Sequence, residues 1–429
     1  MLGEIDLRQT QGLSNRYAEL ENRFSDAAVR DLLWLLCSPG LLRAGAAQIP
    51  QAQPEMQPST QPVAGAYLRH SLIDLLQLLD TAPARLHARL AAAPQKRLGH
   101  YAEQLLAFFL GEGTVGRLIA SNLPLRRANQ TLGECDFLLE THDGLRLHWE
   151  LAVKCYLFVD EPSGGSEAES EPGEAALASP SHRLSPDATI SSTSAGSGGD
   201  YAGLARYVGP NLADRFDLKL TRMVNHQLPL SARPEFLALV AGGPWQAELF
   251  LRGWLFYPLA PQRSAACFIS ELLEPQHMRG WWASVGDWQR WQATLGAEAW
   301  MILPRLEWMA QRRFDAGVGR SAARLGDAGG HAVLDAAGML ERLGTHFGER
   351  ALTATQVGLA PDSSSEADPK LLRDEQPHPK HAGPVLIAGL KRRGDVWVEC
   401  TRGFVVDAGW FARARVYAAS RQPGKASLP

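Results

Sequence analysis

An α/β fold, built as a mixed sheet flanked by helices and followed by an α+β, Trp-rich C-terminal region, is predicted by three features of the sequence. From Leu132 to Phe158, LGECDFLLETHDGLRLHWELAVKCYLF alternates apolar and polar residues on either side of a turn, the pattern of a β-hairpin. Just before it, KRLGHYAEQLLAFFL, from Lys96 to Leu110, repeats apolar residues at helical spacing. After Phe236 the pattern changes to short β runs and clustered tryptophans. An apolar fraction of 45% with 8% aromatics over 429 residues supports two or three domains. The expected divisions are an N-terminal helical region over 1–95, a core over 96–230 interrupted by a disordered insertion at 161–203, and an α+β accessory region over 231–355. A flexible linker over 356–384 and a C-terminal hairpin over 385–429, returning to the accessory region, complete the chain.

Composition removes several function classes. A formal net charge of -3 gives no global basic field, so contact with nucleic acid would have to come from a local patch. The five cysteines are widely spaced and form no CxxC pair; they read as reduced core residues of a cytosolic protein, neither a disulfide frame nor a zinc site. No run approaches the roughly 18 apolar residues that a membrane span needs, and MLGEIDLRQTQG at the start lacks a signal pattern. A soluble, cytoplasmic protein without membrane contact is the expectation. Serine-hydrolase, P-loop and Rossmann readings fail for want of GxSxG, GxxxxGKS/T or a placed GxGxxG.

In chain order, VRDLLWLLCSPGLL (29–42) predicts a helix stopped by Ser-Pro-Gly, and the Gln/Pro-rich stretch from Ala46 a flexible loop. LRHSLIDLLQLLD predicts an amphipathic helix from Ser71, and APARLHARLAAA a short helical segment. In the helix that starts near Lys96, Leu98, Ala102, Leu105 and Phe109 make the apolar stripe, while Glu103 shares a side with Leu106, Ala107 and Leu110. A carboxylate there costs free energy unless it is paired or metal-bound. The plain alternative is an acid at the rim, paired with Arg97 or Lys96. Residues 117–131 offer a strand and a loop carrying Arg126, Arg127, Asn129 and Gln130.

Beyond the hairpin, YVGPNLADRFDLKLTRMVNHQLPL predicts a helix capped by Asn211, with Leu212, Phe216, Leu220 and Val224 as its stripe. Asp214, Asp217, Lys219, Arg222 and Gln227 lie on its polar side. FLALVA and ELFLRGWLFYPL predict strands. Trp281, Trp282, Trp288 and Trp291 would suit base stacking, but their near-helical offsets place them in a core or at an interface. AWMILPRLEWMA predicts a strand or buried segment. VLIAGLKRRGDVWVECTRGFVVDAG predicts a hairpin that turns at Arg393-Gly394-Asp395, with Lys391, Arg392 and Arg393 in solvent.

Within the first hairpin, Cys135, Phe137, Leu139, Leu147, Trp149, Leu151, Val153 and Cys155 are expected on one apolar face. Glu134, Asp136, Glu140, His148, Glu150 and Lys154 then share the other. A three-residue loop, His142-Asp143-Gly144 with Gly144 at positive φ, sets Thr141 opposite Leu145, Phe137 opposite Trp149 and Asp136 opposite Glu150. A two-residue Asp-Gly loop would set apolar side chains against charged ones. The Asp136 and Glu150 carboxylates would face each other, roughly 5 Å apart at Cβ.

Glu103 in GHYAEQLL, Asp136 in GECDFLL, and Glu150 with Lys154 in ELAVKCYL give a helix glutamate, a strand aspartate, and a second strand with glutamate and lysine. That order resembles the functional groups of the PD-(D/E)XK nuclease superfamily. The resemblance covers residues 96 to about 228. It implies a restriction-endonuclease-like core and hydrolysis of phosphodiester bonds in DNA or RNA with Mg2+ or Mn2+. Asp136, Glu150 and Glu103 would hold the metal, and Lys154 would position water or stabilise the phosphorane. The chemistry fits the residue types, since hard Mg2+ prefers carboxylate and carbonyl oxygens, including the backbone carbonyl of Leu151. Such an ion lowers the pKa of an attacking water and stabilises charge on phosphoryl oxygens.

The motif's lysine stands two residues after the glutamate, but here Ala152 fills that place. Lys154 lies one pleat further, roughly 7 Å along the strand, so its stem would have to lean back over Ala152. Arg126, Arg127, Lys219 and Gln227 are candidates for nucleic-acid or water contact. The same fold without catalysis, holding nucleic acid or a protein partner, is the alternative expectation. Over most of the ordered chain the sequence is also similar to the bacterial family catalogued as domain of unknown function 1853. The similarity lies in VRDLLWLL with SPGLL, RLGHYAEQLLAFF, GECDFLL, HWELAVKCYLF, GPNLADRFDLKLTRMVNHQL and HMRGWW, and it implies no activity.

Overall fold

The hairpin opens one large mixed sheet in the computed structural model. The structure describes residues 17, 20–52, 62–112, 115–128, 130–160, 201–259, 270–315, 332–348 and 382–420. The insertion expected at 161–203 lies outside these residues except for 201–203, as does the 356–384 linker except for 382–384. β1 (Gly116–Arg127), β2 (Gln130–Thr141) and β3 (Arg146–Phe158) are successive antiparallel neighbours, and the short β4 (Tyr207–Val208) pairs with the end of β3. β5 (Trp245–Pro258) runs parallel to β3, followed by β6 (Met278–Ser284), β7 (Ala299–Ile302), β8 (Arg313–Asp315), β9 (Val385–Arg393) and β10 (Val396–Val406). The order across the ten-stranded sheet is β1-β2-β3-β5-β6-β10-β9-β7, with β8 off the path beside β10.

The division expected at residue 230 falls inside this sheet. β3 and β5, on either side of it, pair from Arg146↔Trp245 to Leu157↔Phe256. Central parallel strands are covered on both faces and read as near-continuous apolar runs, as LAVKCYLF and ELFLRGWLFYPL do. One apolar core extends from Tyr17 to Ala414, so the helical region, the hairpin and the C-terminal strands share it. The N-terminal segment is stitched to the far side of the sheet by charge as well, with the Asp31 carboxylate 3.0 Å from the Arg312 guanidinium, both buried.

Helices cover both faces. α1 (Ala27–Cys37) is capped by Asp26, whose side chain accepts from the Ala28 and Val29 N–H groups, and it ends at Ser38 before Pro39. With α2 (Pro62–Thr81), α3 (Ala84–Ala92) and α4 (Leu98–Gly111), it joins the core that holds Phe137, Leu139, Leu147, Trp149, Leu151 and Val153. Ala152, Tyr156 and Phe158 face the other way, onto Phe216, Leu220 and Met223.

Two local expectations are corrected here. The helix expected from Asn211 starts at Phe216, as α5 (Phe216–Arg222), because residues 209–214 close a turn of their own. In that turn the Gly209 N–H donates to the Asp214 carbonyl at 2.7 Å and Leu212 takes φ 53. α5 runs on through one π turn, Met223–Gln227, into a 3-10 turn, Leu228–Ala232. FLALVA is not a strand, because Pro234 starts a short helix there, α6 (Pro234–Leu239), with Leu237 and Leu239 exposed.

α7 (Val285–Trp291), α8 (Ala336–Phe347) and α9 (Trp410–Ala419) complete the described helices. Trp281, Trp282, Trp288 and Trp300 are buried, in accord with the core expectation for the tryptophan cluster, and Trp291 is half-buried. None of the described helices is long and apolar enough to cross a membrane.

Candidate active site

The turn between β2 and β3 sets the register from which the site follows. The Thr141 N–H donates to the Leu145 carbonyl at 2.8 Å and the Gly144 N–H to the Thr141 carbonyl at 3.0 Å, with Gly144 at φ 84. This is the three-residue loop expected, and it puts Phe137 opposite Trp149. There the ladder stops. Asp136, one place beyond, has no backbone pairing with β3; its carboxylate Oδ2 accepts the Leu151 N–H at 2.8 Å. On this edge β3 next meets a strand at Leu157, opposite Val208 of β4. Among the described residues, 150–156 of β3 therefore border a gap in the sheet.

Glu150 sits at this gap with no exposed surface. Its Oε1 is 2.7 Å from His148 Nε2, and its Oε2 accepts from Gln227 Nε2 at 2.6 Å. His148, also fully buried, has Nδ1 3.0 Å from Ser231 Oγ, so Ser231, His148 and Gln227 together fix the carboxylate's orientation. The π turn supplies part of this geometry. Gln227 follows Lys219 by eight residues, which in a regular helix would leave it about 80° round the axis. The wider turn takes that offset back, and the Lys219 amine donates to Gln227 Oε1 at 3.1 Å.

Cys135 corrects the sequence reading. It packs with Leu125, Leu138, Leu230 and Phe236, on the opposite side from Phe137. Cys135 Sγ, a His148 nitrogen and a Glu150 oxygen lie within 4.8 Å of one another, the one described group of three that close. Glu103, Asp136 and Glu150 do not all close to that range.

They do act on one another electrically. Burial pushes the Asp136 carboxyl up to about 8, the neighbouring Glu150 and then Glu103 adding to it, against the Leu151 N–H and Lys219. Glu103, carried by α4 on the far face, is raised by burial and by Glu134 and Glu150, against His100. The Lys219 ammonium is held below its ordinary range by burial and by Lys154, with Asp136 and Asp214 opposing. Asp136 thus feels the charges of Glu150 on β3 and Glu103 on α4, with the partly buried Lys219 opposing them.

Other candidates are placed elsewhere. The Lys154 amine does not lean back over Ala152, which is itself packed against the α5 side; it pairs with Asp214 Oδ2 at 2.5 Å. Arg127 pairs with Glu235, and Arg126 is exposed. His148, Ser231 and Asp214 are the site residues to which sequence reasoning gave no role. His148 had a signal, since it shares a strand face with Glu150 two positions on, whereas Ser231 lies 83 residues away.

The oxygen donors suit a hard divalent ion, because Mg2+ takes one or two carboxylates and keeps several waters. Asp136 and Glu150, with Glu103 at longer range, are such a set, and their mutual repulsion is what a cation would relieve. Residues 30–171 and 192–344 match the model of a family described as a domain of unknown function (DUF1853). No curated protein and no solved structure matches the chain.

Proposed function

We propose, for a chain that belongs to the DUF1853 family and whose family description names no reaction, a Mg2+- or Mn2+-dependent hydrolysis of phosphodiester bonds in DNA or RNA on a restriction-endonuclease-like core. The observation that carries the reading is that the Asp136 and Glu150 carboxylates are both held where β2 parts from β3, with Glu103 at longer range. Asp136 and Glu150 would hold the ion. When bound, it supplies charge stabilisation on phosphoryl oxygens and a water of lowered pKa.

The chain's own groups have separate tasks. The Leu151 N–H holds the Asp136 carboxylate, while His148 and Gln227 hold that of Glu150, so both are oriented before any ligand arrives. Asp136 must give up its proton to bind a cation, which ties affinity to pH. Lys219 takes the lysine's role in this proposal. Its amine stands one residue from Glu150 through Gln227, and its lowered proton affinity suits it to exchange a proton with the attacking water. Lys154, engaged by Asp214, is assigned no proton transfer.

One observation favours a second reading, a catalytically silent module that binds nucleic acid or protein: both Glu150 oxygens are already hydrogen-bonded. A Mn2+ titration followed by electron paramagnetic resonance at pH 8 separates the two. The metal-dependent reading expects stoichiometric binding that Asp136→Ala removes; a silent module leaves the Mn2+ signal free in both proteins.

A further inference from the structure

Along the same edge of β3 lies a cleft of about 320 Å3 that Glu103, Asp136 and Glu150 do not line. Its walls include Arg97 and Gly99 at the start of α4, Lys154 and Asp214, and Arg305 with Trp308. Gly99 is one helical turn from Glu103, roughly 6 Å, and Lys154 is two residues of strand beyond Ala152, itself two beyond Glu150, so the cleft lies alongside the acidic cluster.

Its charge is one-sided. Lys154 and Asp214 neutralise each other at 2.5 Å. Arg97 and Arg305 are both exposed, and neither has an acidic partner among the described residues; Arg305 instead lies over the Trp308 ring, 5.4 Å from its centroid. The indole is itself anchored, its N–H donating to the Leu303 carbonyl at 3.1 Å. Two unneutralised guanidinium forks match the oxygens of a phosphate. The volume is larger than a lone phosphate needs and lies in the range of small-ligand pockets, with Trp308 as an apolar wall for a sugar or base.

We infer that this cleft binds a phosphate-bearing nucleotide through Arg97 and Arg305, and that this nucleotide flanks the phosphodiester held at Asp136 and Glu150. The second half rests on the phosphodiesterase reading; the first does not.

The test is made without metal. Binding of a fluorescein-labelled thymidylate octamer to the full chain is followed by anisotropy in EDTA from 50 to 200 mM salt, for wild type and for Arg97→Ala/Arg305→Ala. Each phosphate contact contributes about 0.7 to the slope of log K against log salt for a single strand. The double variant should therefore lose about 1.4 from that slope and bind the octamer about tenfold more weakly at low salt, with an unchanged circular dichroism spectrum. An unchanged slope, or no binding by wild type, overturns the inference. Thymidine monophosphate binding as tightly as the octamer would assign the cleft to a free nucleotide and overturn the flanking role. Because no cleavage is involved, a failure here leaves the carboxylate site standing, and an absence of cleavage leaves this result standing.

Discussion

Asp136→Asn keeps an oxygen to accept the Leu151 N–H and removes only the capacity for charge, so it isolates the electrostatic state of the gap. In the folded, metal-free protein the Asp136 carboxyl titrates at about 8, raised by burial and by Glu150, whereas an unfolded chain releases this proton near 3.9. Between those values the folded state holds a proton that the unfolded state lacks, so stability falls as pH rises through the window. Asparagine has no such term. Each pH unit is worth at most about 1.4 kcal/mol, which sets a ceiling of about 4 kcal/mol between pH 5 and pH 8. Urea denaturation in EDTA at both pH values should therefore show the stability of Asp136→Asn relative to wild type rising from pH 5 to pH 8, by up to about 4 kcal/mol. A difference that falls, or does not change, as pH rises would refute the mutual repulsion of these carboxylates.

Two further predictions concern groups whose roles the structure separates. If Lys219 serves the reaction, Lys219→Met should lower kcat about a hundredfold or more, whereas Lys154→Met, which removes the partner of Asp214, should cost less than tenfold; the reverse order would return the role to Lys154. Arg402 is buried, donates to both Glu399 oxygens and to the carbonyls of Trp308, Met309 and Ala310, and lies 4.3 Å over Trp254. Arg402→Ala strands the Glu399 charge and should cost about 3–5 kcal/mol in urea denaturation, with Arg402→Met/Glu399→Met recovering most of it.

The sequence made the hairpin legible because period-2 alternation and loop length together allow one register, and that register puts Phe137 opposite Trp149. It could not show where the ladder ends. Asp136 is expected in a pair with Glu150, but the backbone parts there and the side chain takes over the hydrogen bond, and Cys135 packs on the other face. Lys154 was legible as a lysine on the right strand, yet its partner depends on a turn at 209–214 that helical periodicity reads as the first turn of a helix. The role of Gln227 depends on a single π turn, which has no sequence signature. The pairing of β3 with β5 across residue 230 was hidden for a related reason. An apolar β run after a helical stretch looks like the start of a new unit, and only pairing shows that β5 extends the sheet already begun.

Metal-dependent phosphodiester cleavage is proposed for Asp136 and Glu150. It is tested most directly by incubating the full chain with single-stranded, duplex and branched DNA and with RNA, in Mg2+ and in Mn2+, beside Asp136→Ala and an EDTA control. Wild type is expected to cut at least one of these substrates with a divalent ion, and the folded Asp136→Ala protein and the EDTA control to cut none. Intact substrates throughout with wild type, or equal cutting by Asp136→Ala, would contradict it.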